Sequence, residues 1–140
     1  HGSMDEDEVA SLYKNNKVTA FISATRGEGF GLPLLESAAC GIPVVATNWS
    51  GHKDFLDLGP WNKVKKRLIP VDPSRIDGKI FVPGAQWAQP DSADFIKKIK
   101  YILKNEEKSK ENAKLLQEKI IENFSFAKIA SEYDRVLGSL

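Results

Sequence analysis

A glycine-rich turn held between two short apolar runs limits what this chain can become. Residues 25–41 read TRGEGFGLPLLESAACG; residues 18–24 (VTAFISA) precede them and residues 43–47 (PVVAT) follow, both strand-like in composition. Pro33 suits the first turn of a helix, where its missing N–H has no intrahelical partner to lose. Gly41 suits the end of that helix, and Pro43 prevents it from resuming. Strand, glycine loop, helix, strand is the unit of a parallel α/β sheet.

The make-up of the loop points to a ligand. Gly27, Gly29 and Gly31 alternate with Glu28 and Phe30. Glycine lets a backbone turn tightly and come close to a bound molecule. The helix behind the loop begins with unpaired N–H groups and the positive end of its dipole, a combination that suits phosphate. Glu28 lies in the loop and Glu36 one turn into the helix. Helical side chains lean toward the N-terminus, so Glu36 is expected to reach back to the same mouth. A carboxylate repels phosphate, so both glutamates are assigned to hydroxyl groups. A charged middle with hydroxyls on both sides describes a nucleoside diphosphate sugar.

Two other phosphate-binding patterns fail on spacing. A dinucleotide fingerprint needs G-x-G-x-x-G, but Leu32 stands three residues beyond Gly29. A P-loop needs Gly-Lys-Ser/Thr, and no such tripeptide follows the turn.

The run EGFGLPLLE from Glu28 to Glu36, continued by SAACGIPVVAT, resembles the Glu–seven residues–Glu signature of retaining glycosyltransferases with the GT-B fold, family four, the "group 1" glycosyltransferases. WAQPD at 87–91 and NFSF at 123–126 extend the similarity, which covers most of the chain and is weakest over residues 49–84. The resemblance implies a partial Rossmann-like parallel sheet flanked by helices, the carboxyl-terminal part of such a fold. It implies that Glu28 orients hydroxyls of the donor sugar and supports charge developing at the anomeric carbon. By the same resemblance, Glu36 would accept the two ribose hydroxyls of the nucleotide. The backbone N–H groups of Phe30, Gly31 and Leu32, beside Gly29, would hold the sugar and the diphosphate. Arg26 is read either as a surface charge or as a partner for phosphate. The implied donor is UDP- or GDP-linked, with no metal and no other cofactor.

The resemblance also marks what is missing. A donor domain of this kind usually opens with several further strands, which carry basic diphosphate ligands, and an amino-terminal acceptor domain precedes it. The chain is therefore expected to be an incomplete enzyme, inactive alone, with an uncovered sheet edge beside residues 18–24. Self-association through that edge, or its coverage by a helix over residues 5–15, is expected. Peripheral membrane contact by the complete protein is compatible with this reading. A non-catalytic nucleotide-binding module, or another GT-B enzyme such as a nucleotide-sugar epimerase, is the alternative.

Composition narrows the choice further. With 140 residues and 41% hydrophobic content, one domain over residues 5–140 with its own core is expected. Residues 1–4 (HGSM) read as a tag remnant. Twenty basic against nineteen acidic residues give no basic excess, which argues against nucleic acid as a partner. Cys40 is the single cysteine, expected to be buried in a reducing, cytoplasmic setting. Two histidines, His1 and His52, form no metal-ligand cluster.

Residues 48–51 (NWSG) form a second loop at the carboxyl end of the second strand. Ligands of open α/β sheets bind at such ends, so Asn48, Trp49 and Gly51 are candidates for the same crevice. For Trp49 and His52 a packed tryptophan and an exposed histidine are favoured over ligand contact. Residues 52–58 suggest a short helix and 68–71 a strand, with irregular structure around them to residue 89 and turns at Asp77-Gly78 and Pro83-Gly84. The last third reads as helical. A helix from Asp91 or Ser92 to Lys104 carries Phe95, Ile99, Ile102 and Leu103 on one stripe, with Lys97, Lys98, Lys100 and Lys104 solvated opposite. A helix over 106–123 turns Leu116, Ile120 and Phe124 inward. Ser125 caps a last helix on which Phe126, Ile129, Ala130, Tyr133, Val136 and Leu137 keep helical spacing.

Overall fold

The computed structural model describes residues 3–76 and 78–138; Asp77, the first half of an expected turn, lies outside the described residues, as do the two residues at each end. Strands β1 (Phe21–Ser23), β2 (Val44–Thr47) and β3 (Asn62–Val64) form a parallel sheet in that order. Phe21 is opposite Val44, and Val45 is opposite Asn62. Helix α1 (Glu6–Tyr13) precedes β1, α2 (Leu32–Ala39) joins β1 to β2, and α3 (Lys53–Leu56) joins β2 to β3. The fold is a Rossmann-like α/β arrangement, as expected.

Every residue of β2 is buried, which is what a central parallel strand covered on both faces requires. Val44 and Ala46 face a cluster with Leu34 and Ala38 of α2, Phe55 and Leu56 of α3, and Leu116 and Ile120 of α5 (Glu106–Phe124). Val45 faces the other way, against Val64 and against Ile102 of α4 (Ser92–Lys104). The one-residue alternation of a strand thus sorts three consecutive apolar side chains into two cores.

Both helix boundaries expected around the glycine turn are present. Gly31 is the residue before α2, at φ 88°, and Pro33 lies in its first turn. Gly41 leaves the helix at φ 76°, and its N–H donates to the Ala38 carbonyl. Gln117 of α5 donates its amide to the Ala39 carbonyl at 2.8 Å, so a distant helix completes the end of α2.

Helix α1 begins with a reciprocal cap. The Asp5 carboxylate accepts from the Glu8 N–H at 2.8 Å, and the Asp5 N–H donates to the Glu8 carboxylate at 3.0 Å. Asp5→Ala is expected to remove about 1 kcal/mol from this helix. Amide exchange over residues 6–13 should accelerate while the sheet is unchanged; unaltered exchange at Glu8 would refute the role of the cap.

Several expectations are corrected. The first strand spans only Phe21–Ser23, because only that stretch has β2 beside it. The region expected to be irregular around one strand holds three: β3, and the antiparallel pair β4 (Lys66–Pro70) and β5 (Gln86–Pro90). Pro70 and Pro90 end their strands in this two-stranded ladder, where a missing N–H is tolerated. Cys40 is half-buried at the end of α2, not buried. Leu103 is 64% exposed, while its neighbour Ile102 is 1% exposed. Helix α6 (Phe126–Leu137) is capped by Ser125 as expected, but its apolar residues Phe126, Tyr133, Val136 and Leu137 are exposed.

Among the described residues β1 is an edge strand, paired with β2 alone. Helix α1 borders Glu36, Ala39 and Cys40 of α2 and reaches β1 through Tyr13, whose ring meets Phe21 edge-on at 5.9 Å. No described helix is long and apolar enough to cross a membrane.

Candidate donor-binding site

The glutamate loop follows β1 and is locked by the second loop. Ser50 has φ 82°, in the left-handed region that a non-glycine residue rarely adopts. There its hydroxyl accepts from the Glu28 N–H at 2.9 Å and donates to the Glu28 carbonyl. The Gly51 N–H donates to the same carbonyl at 3.3 Å. A Cβ on Gly51 would overlap the carbonyl oxygen of Gly29. Strain at Ser50 and the absence of a side chain at Gly51 therefore serve one end: they bring two loops into backbone contact around Glu28.

Sequence reasoning singled out Asn48, Trp49 and Gly51 of this loop and missed Ser50, which makes the closest contact with Glu28. A serine between an aromatic residue and a glycine carries no signal of its own, since its left-handed backbone is set by the facing loop.

With its backbone fixed this way, the half-buried Glu28 side chain has no hydrogen bond or ion pair among the described residues. The N–H groups of Phe30, Gly31 and Leu32 likewise have no acceptor among them. Leu32 is 57% exposed, whereas Phe30 packs against Phe55 at 5.2 Å and Phe124 at 6.2 Å between ring centroids, so two aromatic contacts anchor the end of the loop to the core. The start of α2 is an array of unused donors, with one unused carboxylate near it.

Glu28, Arg26, Gly27 and Gly29 line a cleft of about 1370 Å³, whose far wall is the β4–β5 hairpin and the segment joining its strands. The Ala88 N–H donates to the Arg26 carbonyl at 2.9 Å and fastens that wall to the glutamate loop. Trp49 borders the cleft, with the Lys66 ammonium 5.4 Å from its ring centre. Arg26 is exposed, with its guanidinium 5.5 Å from the ring centre of Trp87.

Glu36 is exposed and borders a separate cavity of about 420 Å³, formed with Val9 and Tyr13 of α1. Burial, then the Glu36 carboxylate, then Cys40, raise the Tyr13 phenol above its ordinary pKa. This corrects the expectation that Glu36 reaches back to the same mouth: Glu28 lines the cleft beside the hairpin, whereas Glu36 lines a separate cavity with Ala39, Cys40 and α1.

His52 is fully buried, which corrects the expectation of an exposed histidine. Its Nε2 lies 2.8 Å from the Thr47 carbonyl, and its ring meets Trp61 edge-on. The carbonyl can only accept, so Nε2 donates to it, and the buried Nδ1 has no partner among the described residues. His52 supports the loop from below: its Cβ would lie 3.2 Å from a Cβ placed on Gly31. No group of three or more metal-ligating side chains occurs among the described residues.

Comparison with known proteins bears on the same segment. The family model described as "Glycosyl transferases group 1" matches residues 1–64, which hold the whole parallel sheet, the glycine turn and both glutamates, and ends before β4. Over 126 residues the chain is 30% identical to the UDP-N-acetylglucosamine–peptide N-acetylglucosaminyltransferase GtfA subunit of Streptococcus agalactiae. That alignment covers 88% of this chain and 22% of the streptococcal protein, so the chain spans less than a quarter of this relative's length. The parallel sheet, the glycine turn and both glutamates thus lie in the segment of this chain that is similar to the group 1 glycosyltransferases.

Proposed function

We propose that this chain is the donor-binding part of a retaining glycosyltransferase that moves a sugar from a nucleoside diphosphate sugar to a glycan, lipid or other acceptor. The observation that carries the reading is the start of α2: the N–H groups of Phe30, Gly31 and Leu32 have no acceptor among the described residues, and Glu28 stands just before them in the glycine turn. The diphosphate takes the N–H groups and the positive end of the helix dipole. Glu36 takes the ribose hydroxyls on the α1 side, and Glu28 takes the sugar on the hairpin side.

Bond breaking leaves negative charge on the diphosphate, and fixed donors that await this charge lower the barrier. Glu28, held by Ser50 and Gly51, offsets the positive charge that develops at the anomeric carbon. The acceptor attacks from the face that the diphosphate leaves, so the anomeric configuration is retained. No metal is required in this reading, because the N–H groups and nearby cations carry the charge. The acceptor is held by a separate domain of the parent enzyme, and the chain alone transfers no sugar. The name of the streptococcal relative gives UDP-N-acetylglucosamine as donor and a peptide as acceptor. It favours a UDP-linked donor for this chain and makes UDP the first ligand to test.

Titration of UDP and GDP, followed by amide NMR, is expected to shift residues 27–36 with an affinity around millimolar, as few contacts allow. Glu36→Gln should weaken UDP by about tenfold, within the usual range for a lost hydroxyl partner. Shifts that avoid residues 27–36 would refute the donor site.

A further inference from the structure

The hairpin wall of the cleft lies beyond the segment matched by the family model, and its chemistry differs from that of the glutamate loop. Trp87, on β5, has two guanidinium groups near its ring: Arg26 at 5.5 Å and Arg75 at 5.9 Å from the ring centre. Phe81 meets the same indole edge-on at 5.6 Å. Arg26 comes from the glutamate loop, Arg75 from the 3₁₀ turn Pro73–Arg75 and Trp87 from β5, so three separate segments meet at one indole in the cleft wall.

Neither guanidinium has a carboxylate within ion-pair distance among the described residues, although both are exposed. Asp72, which feels the charge of Arg75, is engaged with Ser74. Its carboxylate accepts from the Ser74 N–H at 2.9 Å and hydroxyl at 2.8 Å. Those two bonds are the chief causes that lower its pKa, with Arg75 contributing least.

An arginine resting on an indole loses little further freedom when it binds, and its N–H edge still offers a fork of donors. A fork of that shape matches phosphate or carboxylate. We propose that Arg26, Arg75 and Trp87 form an anion-recognition subsite at the hairpin end of the cleft, for a ligand bearing a phosphate or carboxylate group. The chemistry has two sources: the diphosphate of the donor, or an acidic group on the acceptor. That the ligand is a glycosyl-transfer substrate rests on the donor-site reading; that it is an anion rests on the two arginines alone.

The test uses the 140-residue chain, with inorganic phosphate as probe at constant ionic strength. NMR follows the Trp87 indole N–H and the arginine Nε–H groups. Phosphate should shift these signals saturably, and Arg75→Gln and Arg26→Gln should each weaken it about tenfold, the usual scale for a charge-assisted hydrogen bond. Arg75→Lys should recover only part of the loss, since it keeps the charge and loses the fork. Lys114→Gln, on the exposed face of α5, should bind phosphate as the parent does. Arg75 lies on an exposed turn, so its variants carry the test even if Arg26→Gln fails to fold.

Displacement of phosphate by UDP would assign the subsite to the donor; phosphate bound alongside UDP would assign it to an acidic acceptor. Absence of shifts at the cleft, or unchanged affinity in both Arg75 variants, would overturn the proposal. UDP that leaves residues 27–36 unperturbed while phosphate still binds would refute the donor site and leave the anion subsite standing.

Discussion

Gly51→Ala is expected to destabilise the chain by upward of about 2 kcal/mol and to displace the glutamate loop, the outcome when atoms are forced into a filled space. The added Cβ would overlap the Gly29 carbonyl oxygen and lie 2.8 Å from its carbon, and both are backbone atoms that no rotamer change can move aside. The contrast is Gly29→Ala, on the facing glutamate loop. A Cβ there meets nothing within 4 Å, and its backbone is outside the left-handed region, so the change should alter stability by about 0.5 kcal/mol or less. Urea denaturation of both variants measures the difference, and amide shifts at Glu28 and Ser50 report the loop. Equal stability of the two variants would mean that the loops separate freely and that Glu28 is not held by its neighbour.

In the parent enzyme, Glu28→Gln should lower turnover by about 10²–10³-fold, the scale for loss of one fixed electrostatic partner of a transition state. Donor affinity should change much less, because the amide keeps the shape and still accepts from a hydroxyl. Glu36→Gln should do the reverse, raising the KM for donor with a smaller effect on kcat. The backbone clamp at residue 28 runs through N–H and C=O, so the substitution leaves Ser50 and Gly51 in place and isolates the charge. Steady-state kinetics on both variants separates the roles. If Glu28→Gln turns over as fast as the parent, the charge at residue 28 has no part in the chemistry.

The sequence determined the elements whose causes are local. Pro33 and Gly41 bound α2 because one lacks an N–H and the other accepts a left-handed backbone. Asp5, Asp91 and Ser125 start their helices because each side chain reaches an amide three residues on. The apolar run at Val44 and Val45 marks a strand, and the glycines around Glu28 mark the turn between β1 and α2.

Tertiary structure decided what depends on a partner distant in the chain. Strand β3 is Asn62–Val64, too short and too polar to be read alone, and it exists because β2 offers it a ladder. The β4–β5 pair contains prolines that argue against strands, yet both sit at strand ends where no ladder bond is lost. His52 carries no sign of burial in its own neighbourhood; the Thr47 carbonyl and Trp61 enclose it. Leu103 and Ile102 are adjacent and chemically alike, and only the position of the sheet decides that one is exposed and the other buried. The two glutamates follow the same rule. Their types and spacing are local facts, whereas their separation into two cavities is set by α1 on one side and the hairpin on the other, through contacts that no short stretch of sequence contains.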